Sequence, residues 1–327
     1  MSAKPKVFVT RKLPEGGTEK LEAFADVEVW PDRLPPSSKQ LLSSVRNANG
    51  LLCLLTDQID EAILDAAPDL RVIANYAVGY DNIDVRAATS RGIWVTNTPG
   101  VLTETTADFA FALILAAARR LIEADRATRT GDWLTWEPTY MLGKDVNNAT
   151  LGIVGMGRIG TAVARRARGF SMRILYTDTR RRERLESELG IEYADLERLL
   201  ASSDFVTLHV PLTAETKGMI GASEFRRMKS EAVLINTARG DLVDEEALVW
   251  ALEQGEVAAA GLDVYAMEPL STDHPLTFLD NVVLAPHLGS ATVQARTAMA
   301  KMASRNVIAV LSGKEPESPV NSPELGR

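Results

Sequence analysis

Short apolar runs alternate along the whole chain with longer stretches of helical periodicity. This is the pattern of strands joined by helical crossovers, and hence of parallel, doubly wound α/β sheets. A first series of strands is predicted at residues 7–10, 27–30, 50–55, 72–76 and 93–97. A second begins at Leu151 and continues through 174–177, 205–209, 232–236, 259–263 and 282–285, so two sheets are implied. Between them the turn Asn97-Thr-Pro-Gly100 leads to a Thr103-Glu-Thr helix start and the apolar segment 107–118. That segment stops at Arg119-Arg120, too short for a bilayer span, and reads as a helix buried between domains. Residues 291–311 carry apolar positions at helical spacing and are expected to return to the first domain. The Pro-rich tail 315–327 shows no core pattern and is expected to run over the surface. The loop 131–140 gathers Trp133, Trp136 and Tyr140, a cluster that wants burial, either over the chain's own core or in a subunit interface.

The second sheet opens on a glycine-spaced turn in which Gly155, Gly157 and Gly160 follow the apolar run 150–154 and precede the helix-forming residues 161–168. The first glycine permits the tight turn, the second lets backbone approach a pyrophosphate, and the third lets helix and strand pack closely. The helix N-terminus then holds the phosphates. The next apolar run ends in Asp178, about 18 residues beyond Gly160, where a carboxylate would meet the ribose hydroxyls of NAD.

At 327 residues the chain exceeds the size at which single cores usually stop growing, which supports two domains. Apolar residues make up 46% and charged residues 24%, which argues against disorder and against a coiled coil. The net charge of −8 opposes a nucleic-acid partner, and an anionic substrate must be met by a few placed cations. The lone Cys53 lies in the apolar run 51–55, so no internal disulfide forms and the thiol is expected to be buried and inert. The N-terminal residues lack the apolar core of a signal peptide, and a cytoplasmic location is expected, with no membrane partner. The histidines and the cysteine show no metal-ligand spacing, so no metal is expected.

Ligands of open parallel sheets gather beyond the carboxyl ends of the strands. Three sets of polar groups fall there in the second domain: Arg239 in Asn236-Thr-Ala-Arg-Gly240, Asp263 with Glu268, and His287 in Pro286-His-Leu-Gly289. Together they suit hydride transfer to the keto group of a short acid. An imidazole, with an intrinsic pKa of about 6.5, is a natural proton donor to the developing alkoxide, and a carboxylate beside it favours its charged form. A guanidinium offers a planar fork to carboxylate and carbonyl oxygens. Arg239 is therefore expected to orient substrate, His287 to act as acid or base, and Glu268 to tune His287. His209 closes a strand and is expected beside the nucleotide, outside proton transfer; His274 reads as a surface or capping residue.

With these residues assembled, the chain resembles the D-isomer-specific 2-hydroxyacid dehydrogenases, and within them the glyoxylate/hydroxypyruvate reductase branch. The matching segments are Val78-Gly-Tyr-Asp-Asn-Ile-Asp84, Asn97-Thr-Pro-Gly100 with Thr106-Ala-Asp108, residues 155–160, His209-Val-Pro-Leu-Thr213, Asn236-Thr-Ala-Arg-Gly240, Gly261-Leu-Asp263 with Glu268-Pro269, and Pro286-His-Leu-Gly-Ser290. The resemblance implies a discontinuous flavodoxin-like substrate domain, residues 1–100 and 288–327, around a Rossmann-type cofactor domain of residues 101–287, and a homodimer. It implies catalytic roles for Arg239, Glu268 and His287, and substrate contacts from the Val78 and Gly79 amides, Arg239 and His287. The tryptophan loop would help form the dimer, with Trp136 shaping the substrate site.

Thr106, His209, Pro211, Thr216, Thr237, Ala238, Asp263 and Gly289 would line the cofactor, and Arg158 and Ile159 would face the pyrophosphate. Val78 stands where phosphite-oxidising relatives place a lysine, and Leu288-Gly-Ser-Ala-Thr292 replaces the aromatic run of D-lactate dehydrogenases. Asp178 would repel a 2′-phosphate while Arg180, Arg181 and Arg182 partly offset it, so NADH is expected to be preferred and NADPH secondary. The expected reaction is reduction of hydroxypyruvate to D-glycerate and of glyoxylate to glycolate. An NADH-sensing corepressor on the same scaffold, or a dehydrogenase for another D-2-hydroxy acid such as 3-phosphoglycerate, are the alternatives.

Overall fold

The apolar runs form twelve strands, all paired in parallel, in a computed structural model that describes residues 4–323. The chain divides into two compact units, one made of Met1–Leu102 with Ala291–Arg327 and the other of Thr103–Ser290.

The first unit carries β1 (Lys6–Val9), β2 (Asp26–Val29), β3 (Gly50–Cys53), β4 (Val72–Asn75) and β5 (Trp94–Thr96) in the order β2-β1-β3-β4-β5. Every residue of β3 and β4 is buried because helices cover both faces of a parallel sheet, and the strands therefore read as continuous apolar runs. The order reverses between β1 and β3, so a crevice is expected beyond their carboxyl ends, where Thr10, Arg11 and Asp57 lie. The helix Val293–Leu311 belongs to this unit and packs on β3 and β4. The tail departs from expectation. Pro316 and Ser318 are buried, Val320 donates its N–H to the Val95 carbonyl, and the Asn321 Oδ1 accepts from the Val95 N–H. These bonds dock the tail on the outer edge of β5.

The second unit carries β6 (Thr150–Val154), β7 (Arg173–Thr177), β8 (Glu192–Tyr193), β9 (Phe205–Leu208), β10 (Val233–Asn236), β11 (Ala259–Leu262) and β12 (Val282–Leu284). Their order is β12-β11-β10-β9-β6-β7-β8, and the switch point falls between β6 and β9. The edge strand β8 was not expected, since two half-exposed residues leave no apolar run to read. The apolar segment lies within the helix Thr103–Ala118, which buries Ala107, Ala110 and Ile114 against the sheet. Gly261 in β11 allows that approach: a Cβ there would lie 3.0 Å from the Leu113 Cβ. Arg166 pairs with Glu104 at 2.8 Å and Asp108 at 2.6 Å, tying the helix Arg158–Gly169 to the same helix.

Candidate active site

The turn after β6 has the shape that a dinucleotide phosphate requires. Gly155 adopts a left-handed φ of 98°, and a Cβ there would come within 2.7 Å of the His209 carbonyl carbon, so β6 and β9 can approach only through glycine. A Cβ at Gly160 would run into the Gly155 carbonyl oxygen, which closes the helix onto the turn. A Cβ at Gly157 meets nothing within 4 Å, and Gly157 caps the helix Arg158–Gly169 with no side-chain hydrogen bond. The first turn of that helix, Arg158 and Ile159 included, therefore has no side-chain cap and open room at Gly157, with a positive helix end behind it, a setting that suits phosphate.

Asp178 ends β7 beside this turn. Its Oδ2 accepts the Met156 N–H at 3.0 Å and its Oδ1 the Arg180 N–H at 3.3 Å, while Arg182 lies 3.3 Å from Oδ2. Burial works against its charge, but those amides and Arg182 win and hold the carboxyl below its usual range. Arg181 is committed elsewhere, in a two-toothed pair with Glu186. The dinucleotide reading gains a further fit in Thr237, whose buried Oγ1 has no partner among the described residues.

Three sets of residues at the ends of β10, β11 and β12 form the candidate reaction centre. His287 holds a left-handed φ of 55°, rare for a residue with a side chain and a mark of local constraint. The constraint has identifiable sources. The His287 N–H donates to the Asp263 carbonyl at 2.9 Å, and the Asp263 carboxylate accepts the Leu288 and Gly289 amides at 2.6 and 2.7 Å. Burial raises the Asp263 pKa, and the nearby Glu268 charge adds to this, against the pull of the two amides and His287. Asp263 therefore works on the His287 turn, a role the sequence reading did not assign it.

In that conformation His287 Nδ1 lies 2.8 Å from Glu268 Oε2, and Glu268 Oε1 accepts the Tyr265 N–H at 3.1 Å. Burial opposes ionisation of Glu268, but the His287 contact, the Tyr265 amide and the Arg239 charge hold its pKa below the ordinary value. Each of the paired side chains is 27% exposed, which leaves the imidazole a route to solvent protons. With Nδ1 engaged, Nε2 is the nitrogen left to meet a ligand. Arg239 follows β10 in a turn set by Asn236, whose Oδ1 accepts the Ala238 N–H and whose Nδ2 donates to the Arg239 carbonyl. This is an asparagine bonding two residues ahead, a signal present in the sequence but not read there.

The remaining expected residues fall in several places. Thr106, Asp263 and Gly289 come together, since a Cβ on Gly289 would lie 3.3 Å from Thr106 Cγ2 and 3.2 Å from Asp263 Oδ2. Ala238 sits half-buried in the Arg239 turn. Pro211 and Thr216 form one loop after β9, closed by a hydrogen bond from the Thr216 hydroxyl to the Pro211 carbonyl. His209 bonds Thr207 Oγ1 at 2.9 Å, and burial pushes its pKa down to about 3, so it stays neutral. His274 caps the short turn Pro275–Phe278 and lies 3.5 Å from Glu245.

In the first unit Val78 and Gly79 follow β4. Their carbonyls accept from Asn97 and Asn75, while their own N–H groups donate to no protein acceptor among the described residues. Trp136 is 77% exposed, with Trp133 and Leu134 exposed beside it, so the tryptophan loop does not cover the chain's own core. No group of three His, Cys, Asp or Glu side chains suited to a metal occurs among the described residues, and no helix among them is long and apolar enough to cross a membrane.

Residues 111–289 match the family model for the D-isomer specific 2-hydroxyacid dehydrogenase NAD binding domain. A glyoxylate reductase of Korarchaeum cryptofilum is 59% identical over 97% of this chain and 96% of its own length. The solved TT0316 protein of Thermus thermophilus superposes with a TM-score of 0.91 at 47% identity, over 97% of this chain and all of that one. An NADPH-dependent glyoxylate/hydroxypyruvate reductase of Sinorhizobium meliloti, solved with NADP and malonate, superposes with a TM-score of 0.87 at 34% identity over 99% of each chain.

Proposed function

The chain belongs to the D-isomer specific 2-hydroxyacid dehydrogenase family, and from that premise we propose that it is an NAD(P)-dependent glyoxylate reductase that also reduces hydroxypyruvate. The observation that carries the reading is the His287–Glu268 pair, set beyond the strand ends of a sheet whose switch point holds a glycine turn shaped for a dinucleotide.

When bound, a reduced nicotinamide would supply the hydride that converts the keto carbon to the alcohol carbon. The chain's residues supply the rest. Nδ1 of His287 donates to the ionised Glu268, so the imidazole can carry two protons and release the one on Nε2 to the carbonyl oxygen as negative charge grows there. The product is the 2-hydroxy acid, and the neutral imidazole regains its proton from solvent. In the reverse direction the same nitrogen accepts the hydroxyl proton. Arg239 offers its fork to the carboxylate and carbonyl oxygens, and its positive charge polarises the latter.

NADH is the preferred cofactor in this proposal, because Asp178 is ionised and would accept ribose hydroxyls but repel a phosphate. A second copy of the chain covers the exposed Trp133, Leu134 and Trp136, with Trp136 shaping the neighbouring substrate site, and equilibrium sedimentation of wild type and Trp136→Ala tests this. The reading as a whole is tested by a kinetic panel of glyoxylate, hydroxypyruvate, pyruvate and 3-phosphohydroxypyruvate with each reduced nicotinamide. Rapid turnover of the first two is expected. Nucleotide binding without turnover of any of the four would overturn it.

A further inference from the structure

Glu268 reaches His287 from an exposed turn whose position rests on few contacts. Ala266 and Met267 are exposed, and Met267 is 76% accessible, so packing on the outer side does not hold the turn. Its inner anchors can be named. The Tyr265 hydroxyl donates to the Ala285 carbonyl at 2.9 Å, just before the His287 turn. Gly240, the residue after Arg239, lies so close to the Tyr265–Ala266 peptide that a Cβ would collide with it. The peptide between Tyr265 and Ala266 is thus where the Arg239 segment and the Glu268 turn meet.

One side chain from outside this region holds that peptide. Glu245, in the first turn of the helix Glu245–Glu253, accepts the Ala266 N–H through Oε1 at 2.7 Å. The helix end has its own cap, since the Asp244 side chain accepts the Ala247 N–H, which leaves Glu245 to be used elsewhere. Its other oxygen lies 3.5 Å from His274 Nε2. His274 Nδ1 accepts the Leu276 N–H, which leaves Nε2 as the nitrogen nearest Glu245. An imidazole and a carboxylate therefore stand one peptide behind the His287–Glu268 pair, and the Glu245 side chain is only 17% exposed.

We infer that Glu245 is a positioning residue for the reaction: by holding the Ala266 N–H it sets the turn that aims Glu268 at His287. The inference rests on the proposed role of Glu268. It does not make Glu245 a ligand of substrate or cofactor. Two successive amides, at Tyr265 and Ala266, are each taken by a glutamate, one from within the turn and one from without. Loss of the outer one frees the peptide to rotate and carries Glu268 off its line, and misplacement on the scale of an ångström costs up to about a hundredfold in rate.

The test compares Glu245→Ala and Glu245→Gln with Glu268→Gln in the full-length enzyme, with kcat expressed per NADH-binding site counted by fluorescence titration. For Glu245→Ala, kcat for glyoxylate should fall about tenfold or more while the NADH dissociation constant stays within about twofold. Glu245→Gln keeps an acceptor oxygen for Ala266 and should recover most of the rate. A Glu245→Ala enzyme with a lowered melting temperature but wild-type kcat per site would reduce Glu245 to a structural part and overturn the inference. So would a folded Glu245→Gln as impaired as Glu245→Ala. If Glu268→Gln itself left the rate unchanged, the reading of Glu268 would fail first; if Glu268→Gln were impaired and Glu245→Ala were not, only the inference about Glu245 would fall.

Discussion

Replacing Glu268 by Gln is the sharpest probe of the reaction centre, because the structure dictates how the amide must sit. Oε1 already accepts the Tyr265 N–H at 3.1 Å, so the carbonyl oxygen of a glutamine is drawn there and its NH2 must face His287 Nδ1. A donor in that place cannot accept a proton from Nδ1, and it opposes the doubly protonated ring. The opposite rotamer restores an acceptor for His287 but sets the NH2 against the Tyr265 amide. Either way the charge-assisted hydrogen bond is lost, which is worth about 1.5–3 kcal/mol. At roughly 1.4 kcal/mol per tenfold, kcat/KM for glyoxylate reduction should fall about ten- to hundredfold at neutral pH. The assay is NADH oxidation at 340 nm at neutral pH, with NADH affinity measured separately. A kcat/KM that stays within twofold of wild type would refute the assignment of Glu268 as the partner of the acid.

Three further outcomes follow from other parts of the molecule. Asp178→Ala removes the acceptor for ribose hydroxyls and the repulsion of a 2′-phosphate, so the ratio of kcat/KM for NADH to that for NADPH should fall by about tenfold or more, and an unchanged ratio would move the preference elsewhere. Gly160→Ala would set a methyl against the Gly155 carbonyl and should weaken NADH binding while destabilising the fold by about 1–3 kcal/mol, read by titration and thermal melting. Asp57 has its pKa raised by burial, against the pull of Thr10, the Leu54 amide and Arg11, and its Oδ1 has no hydrogen-bond partner among the described residues. Because the folded pKa lies above the unfolded one, the stability this group confers is present in acid and lost as pH rises through the folded pKa. Asp57→Asn lacks that loss, so its melting temperature should gain on wild type between pH 3.5 and 7, and a constant difference would contradict the raised pKa.

The parts of this protein legible in its sequence are those whose physics is local or periodic. β3, β4, β9, β10 and β11 are buried along their whole length, and such strands leave unbroken apolar runs. The glycine turn announces itself because each glycine meets a separate local demand. The edge strand β8 and the C-terminal tail leave no such trace. The tail is held by Asn306 bonding to Ser318, and by Ser318 and Asn321 bonding to the backbone around β5, contacts with no period along the chain.

The candidate site divides in the same way. His287, Glu268 and Arg239 stand out because they are chemically conspicuous residues just past strand ends. Asn236 and Glu245 do not, and Asp263 stands out without its role, since each acts on backbone amides and nothing in a side chain's identity says which amide it will meet. The local asparagine turn was open to reading, but the bonds from Asp263 to Leu288 and Gly289, and from Glu245 to Ala266, span sequence gaps that only the sheet order closes. The consequence is directional. The residues proposed to carry the chemistry are recognisable one at a time, whereas those that aim them are recognisable only as pairs. A catalytic set transplanted by motif alone would therefore carry the imidazole, the guanidinium and the carboxylate without the amide ligands that hold His287 in its left-handed turn.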